Sequence, residues 1–212
     1  MLGTIISLLI VLLVLIVSEV SYRKKLIHAE TSRRLVHILV DSFVAFWPYF
    51  MSYKQIEIIA VAFLVVNLVS IKFHIFNSIH KVKRLTWGEL FYPLGIVFIA
   101  MFSPVKLVFT IAMLNVGIAD GLAGLIGEKF GKKKVYKVFN QTKTFAGTAT
   151  FFIAALVILL VAKLVEPNQI SLLNWYAVLY LPLILAMTEN FGVYGSDDFL
   201  VPLITLVVLS WF

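Results

Sequence analysis

From Asn115 to Gly147 the chain reads NVGIADGLAGLIGEKFGKKKVYKVFNQTKTFAG. An aspartate and a ladder of glycines end one apolar segment, a lysine-rich loop follows, and Lys143-Thr144 opens the next segment. Asp120 is the sharpest single residue. It falls about two turns inside an apolar helix, where a carboxylate must be neutralised by a proton, a cation or a basic partner. Gly124, Gly127 and Gly131 follow at i+4, i+7 and i+11 along one helix face, with Gly117 and Gly121 forming a small-residue groove beside them. Such spacing serves close helix packing in membranes. Next to a carboxylate it also lets phosphates and a divalent cation approach the backbone. A helix opening at Lys143 and Thr144 would add free N–H groups, a favourable dipole and a positive charge, which together make an anion site. This is not a Walker loop, since no G-x-x-x-x-G-K-[ST] occurs.

Three further groups carry ionisable chemistry. Glu30, Arg33, Arg34 and His37, in HAETSRRLVH, are spaced i, i+3, i+4 and i+7, so a helix brings a carboxylate, two guanidinium groups and an imidazole to one face. An ionisable ring a turn inside the membrane needs a partner, and Asp41, a turn deeper, is a candidate. Glu89, after Trp87-Gly88, is either a helix-start carboxylate favoured by the dipole or a metal ligand or base facing the interior. Glu189-Asn190 and Gly195-Ser196-Asp197-Asp198 flank a connection with three acids and no base. The aspartates suit a helix N-terminus, and acid in that place also suggests Mg²⁺, which takes one or two carboxylates plus substrate phosphates.

The elements that position these residues are apolar helices. Of 212 residues 61% are hydrophobic and 14% charged, with a mean hydropathy of +1.01, far outside the soluble norm and expected of an integral membrane protein. The chain has no Cys, which excludes disulfides, thiolate nucleophiles and Cys-ligated metals. The net charge of +7 sits between apolar segments, so it fits anionic membrane lipids or a nucleotide and not a nucleic acid. At about 20 apolar residues per crossing, the expected fold is an all-α, polytopic bundle of eight spans: 2–20, 35–51, 56–71, 88–103, 105–127, 145–165, 172–188 and 198–212. The apolar runs are continuous and do not alternate, against a β-barrel. The first span has no positive leader or small-residue cleavage site and reads as a retained anchor. Only Lys54, Lys106 and Lys163 fall on one side of these spans, so the positive-inside rule places the basic loops in the cytoplasm and both termini outside. Residues 1–212 read as one membrane domain, with 115–147 its nucleotide-binding region. The size fits a prokaryotic plasma membrane.

In this order the segments resemble the CTP-dependent lipid-alcohol kinases: dolichol and polyprenol kinase, phytol kinase and the CTP-using diacylglycerol kinase. The family's E-x-x-R-K-x-x-H is similar to Glu30, Arg33, Arg34 and His37, with Arg34 in place of Lys. Its CTP signature, D-x-x-A-x-x-x-G-x-x-x-G with K-K-T-x-E-G eight residues on, is similar to Asp120, Ala123, Gly127 and Gly131, then Lys143, Thr144 and Gly147. Its acidic motif before a proline resembles Gly195 to Pro202. Here the spacing before the lysine motif is longer by two, Thr142 replaces the first Lys, and Ala146 replaces the Glu.

The resemblance implies transfer of the γ-phosphoryl of CTP, with Mg²⁺, to a long isoprenoid alcohol such as dolichol or a polyprenol. Phytol, geranylgeraniol or diacylglycerol are alternative acceptors. Asp120 with Asp197 or Asp198, and Glu189 near them, would hold the metal. Lys143, Thr144 and the backbone around Ala123, Gly124, Gly127, Gly131 and Gly147 would hold the nucleotide. Arg33 and Arg34, with Glu30, would serve the transferring group, and His37 or Glu89 would take the hydroxyl proton. A cytidylyltransferase with the same CTP site, or a transporter with intramembrane acids, are the competing classes. Oligomeric state is left open. Asp120→Asn is expected nearly to abolish phosphoryl transfer while membrane insertion persists; a well-folded variant with wild-type turnover would remove the metal assignment.

Overall fold

The computed structural model describes residues 2–73, 87–131, 134–139, 141–166 and 174–210. Among them are eight helices: α1 (Leu2–Arg23), α2 (Ala29–Val44), α3 (Tyr53–Phe73), α4 (Gly88–Phe102), α5 (Lys106–Phe130), α6 (Phe145–Val165), α7 (Trp175–Phe191) and α8 (Asp197–Ser210). Four of them, α1 from Gly3, α3, α5 and α6, are long and apolar enough to cross a membrane, and α4 is a shorter apolar helix. At about 1.5 Å per residue, a helix of some 20 residues matches the hydrocarbon layer.

α5 is the central helix. It packs on α2, α4, α6 and α8, and Val108, Phe109, Ile111, Ala112, Met113, Val116 and Ala119 along it are buried. A helix apolar on all sides is stable only when surrounded in this way. α1 packs on α2, α3 on α4, and α7 against α6 and α8. The outer faces remain apolar and exposed, for instance Leu9, Leu13 and Ile16 on α1, Ile58 and Val65 on α3, and Ile153 and Val157 on α6. Surface of that kind is a liability in water and at home in hydrocarbon.

Two local departures from the expected spans have plain causes. The second segment does not run as one helix to residue 51. α2 stops at Val44 and a 3₁₀ turn at Trp47–Tyr49 follows, because Pro48 has no N–H to donate to the Val44 carbonyl and so cannot continue the α-helical ladder. The helical bundle also carries one small two-stranded sheet among the described residues. Strands β1 (Val135–Val138) and β2 (Gln141–Thr144) pair antiparallel, with Val135 opposite Thr144 and Tyr136 opposite Lys143. Valine, tyrosine and threonine favour this extended backbone. Lys143 therefore sits on a strand and does not open a helix. α6 begins one residue after Thr144, whose side chain caps it by accepting a hydrogen bond from the Gly147 N–H at 3.0 Å.

α5 is interrupted by a wide π-helical turn, Asn115–Asp120. Such single turns inside α-helices gather at functional sites, and this one ends on Asp120. Asn115 is fully buried within it and donates from Nδ2 to the Ile111 carbonyl at 2.8 Å. Gly117 faces α2 so closely that a Cβ there would lie 2.8 Å from Asp41 Cβ and 2.9 Å from the Ser42 backbone nitrogen. Gly117→Ala is accordingly expected to lower stability by about 1–3 kcal/mol, the range for overpacking a tight contact. At Gly124 the obstacle is the tip of the Arg34 side chain, which can swing aside, so Gly124→Ala should cost less. Thermal unfolding of the two variants in one detergent checks the order.

Candidate active site

The polar residues converge at one end of the bundle, where α2 begins, α4 starts, α5 leaves its π turn, β2 meets α6, and α7 turns into α8. The α7–α8 turn is tight. Gly195 has φ 87° and Tyr194 φ 55°, and a Cβ on Gly192 would lie 2.6 Å from Asp197 Cβ. Glycine at 195 takes the left-handed backbone without steric cost. Trp87 N–H donates to the Tyr194 carbonyl at 2.7 Å, tying the start of α4 to this turn.

Asp120 stands between two groups. On one side His37 Nε2 is 3.3 Å from Asp120 Oδ2 and 3.7 Å from Asp198 Oδ1, while His37 Nδ1 is 2.6 Å from the buried Asp41 Oδ2. The Asp41 carboxylate fixes a proton on Nδ1, and Nε2 faces the carboxylates of Asp120 and Asp198, which favour a shared proton there. On the other side Lys143 Nζ donates to Glu189 Oε1 at 2.6 Å and to the Glu189 backbone carbonyl at 2.8 Å, and lies 4.0 Å from Asp197 Oδ2. Burial alone would lower the Lys143 pKa, but the charges of Glu189 and Asp197 outweigh it and hold the ammonium above its usual range.

Two sets of ligand atoms arise, His37 with Asp120 and Asp198, and Asp120 with Glu189 and Asp197, each set lying within 4.8 Å. Asp120 belongs to both. Carboxylate oxygens arriving from α5, α7 and α8 form a hard donor set that fits a cation such as Mg²⁺.

The chain is 29% identical over 202 residues to a protein of Synechocystis sp. named phytol kinase, a match covering 90% of this chain and 82% of that one. It is 34% identical over 149 residues to phytol kinase 1, chloroplastic, of Arabidopsis thaliana, covering 62% of this chain and 47% of the plant protein. The chain is thus similar to proteins named phytol kinase. It spans about half the length of the Arabidopsis relative. No family model matches it, and no solved structure does. The resemblance to lipid-alcohol kinases is thus borne out.

The expected site residues fall into three places. His37, Asp120, Asp198, Lys143, Glu189 and Asp197 form the linked cluster above. Arg33 and Glu89 line a cavity beside His37. The Arg34 guanidinium covers Gly124, its Nε 3.5 Å from Glu128 Oε2. The side chain of Glu30 lies outside the described residues. The glycine ladder is divided between two neighbours: Gly124 lies under Arg34, while Gly127 and Gly131 pack on Thr144. A Cβ at Gly127 would sit 2.7 Å from Thr144 Oγ1, and one at Gly147 3.0 Å from the Ala123 carbonyl. That close approach of α5 to the β2–α6 junction is what carries Lys143 to the acids around Asp120.

Sequence reasoning missed Tyr92, whose ring meets His37 edge-on with centroids 6.2 Å apart; its position at i+3 from Glu89 was the available signal. It also missed Asn67, an amide interrupting LVVNLV, whose Nδ2 donates to the Glu89 carbonyl at 2.6 Å. A third omission is the Tyr136 hydroxyl, which bonds to Thr148 and to Asn190 Oδ1 and so pins the hairpin to α6 and α7.

Removing one partner of a mostly buried ion pair strands the other. Lys143→Ala is therefore expected to destabilise the protein by about 3 kcal/mol, while Lys143→Met combined with Glu189→Leu should recover most of that loss. A double-mutant cycle on thermal unfolding measures the coupling.

Proposed function

We propose that the protein is a multi-pass membrane kinase that transfers the γ-phosphoryl group of CTP to the hydroxyl of an isoprenoid alcohol. Phytol or a similar prenyl alcohol is favoured over dolichol. Eight helices would span the membrane with both termini outside, in a prokaryotic plasma membrane, and the reaction would take place at the cytoplasmic face. One observation carries the reading: Asp120 stands between the His37–Asp41 pair and the Lys143–Glu189 pair at one end of an apolar bundle. Donor choice rests on the resemblance of Asp120 to Gly147 to the CTP signature, and acceptor choice on the names of the relatives.

Phosphoryl transfer asks chiefly for positioning and charge neutralisation. His37, held by Asp41 at Nδ1, presents Nε2 to accept the hydroxyl proton, with Glu89 the other candidate base. Lys143 would trade a carboxylate partner for a phosphate, and Arg33 and Arg34 would offset charge on the transferring group. Asp120, with Asp197, Asp198 or Glu189, would hold a divalent cation, which when bound neutralises phosphate charge.

The test is transfer from γ-labelled CTP, against ATP, to phytol, geranylgeraniol, polyprenol and diacylglycerol by the purified protein. The expected product is labelled phytyl monophosphate from CTP, lost on chelation and restored by Mg²⁺. Labelled pyrophosphate and a CDP-lipid formed when a lipid monophosphate is supplied in place of the alcohol, with no labelled lipid from any alcohol, would replace the kinase by a cytidylyltransferase. Failure to bind any nucleotide would overturn the enzyme reading and favour a transporter.

A further inference from the structure

Beside His37, on the side away from Lys143, lies a cavity of about 120 Å³ bounded by α1, α2, α3, α4 and the start of α8. Its character changes from one wall to the other. Arg33, His37, Asp41, Glu89 and Asp198 line it from α2, α4 and α8, while α1 contributes only the apolar Leu15, and α3 adds Phe63 beside Asn67 and Ser70. The two helices that supply the outer wall are peripheral, α1 packing on α2 and α3 on α4, and both present exposed apolar side chains outward.

Resting on the kinase reading, we infer that this cavity is the acceptor site: the hydroxyl end of the lipid alcohol seats against His37, and its hydrocarbon chain leaves between Leu15 and Phe63 into the bilayer. The polarity gradient runs as such a molecule does. The cavity's size fits as well. At about 120 Å³ it is small beside a long isoprenoid chain, so the far end of that chain must lie outside the protein. The carboxylates of Asp41, Glu89 and Asp198 outnumber the one guanidinium in the lining, Arg33, so the cavity suits a neutral hydroxyl better than the several charges of a triphosphate. The two substrates thus approach Asp120 from opposite sides, the alcohol past His37 and the nucleotide from Lys143.

A second groove, of about 340 Å³, lies between α6 and α7 and is lined by Phe145, Phe152, Leu183 and Met187. It is apolar enough for a lipid chain. Its polar end, Thr148 and Asn190, is engaged by Tyr136 and offers no titratable group. It holds nothing that could activate a hydroxyl.

Two measurements test the assignment. Leu15→Trp fills the outer wall without touching an ionisable group. It should raise KM for the alcohol about tenfold or more, the scale on which apolar pockets discriminate, while nucleotide affinity stays at the wild-type value. In parallel, wild-type protein is irradiated with a diazirine-bearing isoprenoid alcohol and the labelled peptides are mapped, which does not depend on the variant's folding. Label on α1 and α3 near Leu15 and Phe63 supports the site. Label on α6 and α7, or a folded Leu15→Trp protein with unchanged KM in an active preparation, overturns it. A wild-type protein that phosphorylates no alcohol defeats the kinase reading itself, a separate result.

Discussion

The constraint on which the rest depends is the expense of a carboxylate among apolar helices. Asp120 follows a helix that is buried on nearly every side, and an ionised group there survives only with partners close by. Those partners come from neighbouring elements, an imidazole from α2 and an ammonium from β2, while the further carboxylates from α7 and α8 add negative charge that only a cation can offset. The π turn, the glycine contacts with α2 and with the β2–α6 junction, and the tight α7–α8 reversal all shorten distances to this one residue. Water-facing enzymes can leave such charges to solvent. Here the protein itself must hold every one of them.

Close approach without side chains is the means. Gly117 lets α5 lie against Asp41 and Ser42, and the meeting of Gly127 with Gly147 brings β2 alongside. In a bilayer, contacts of this type replace the hydrophobic drive that packs helices in water. The same residues thus set helix spacing and decide which charged groups can meet.

Much of this was legible beforehand because two signals are strong in one dimension. Long apolar runs announced the helices, and ionisable residues at their ends announced the cluster; His37 with Asp41 was readable from a spacing of four. The hairpin was not, because Val135–Val138 and Gln141–Thr144 are four residues each and lie in a lysine-rich stretch that reads as loop. The pairing of Lys143 with Glu189 was equally hidden, since residues 46 apart meet only through the packing of α6 on α7. The glycines gave a correct face but not its occupant. Spacing shows that a surface is open, and only the neighbouring helices decide whether Arg34, Thr144 or a ligand fills it.

Asp120 is counted in both sets of ligand atoms, and a shared residue makes the two halves of the site conversant. Whatever settles on the His37 side alters the charge that an occupant on the Lys143 side encounters, and the reverse holds by thermodynamic necessity, with the same coupling free energy in each direction. Affinity on either side is therefore a property of the pair of occupants, and order of arrival changes rates without changing that sum.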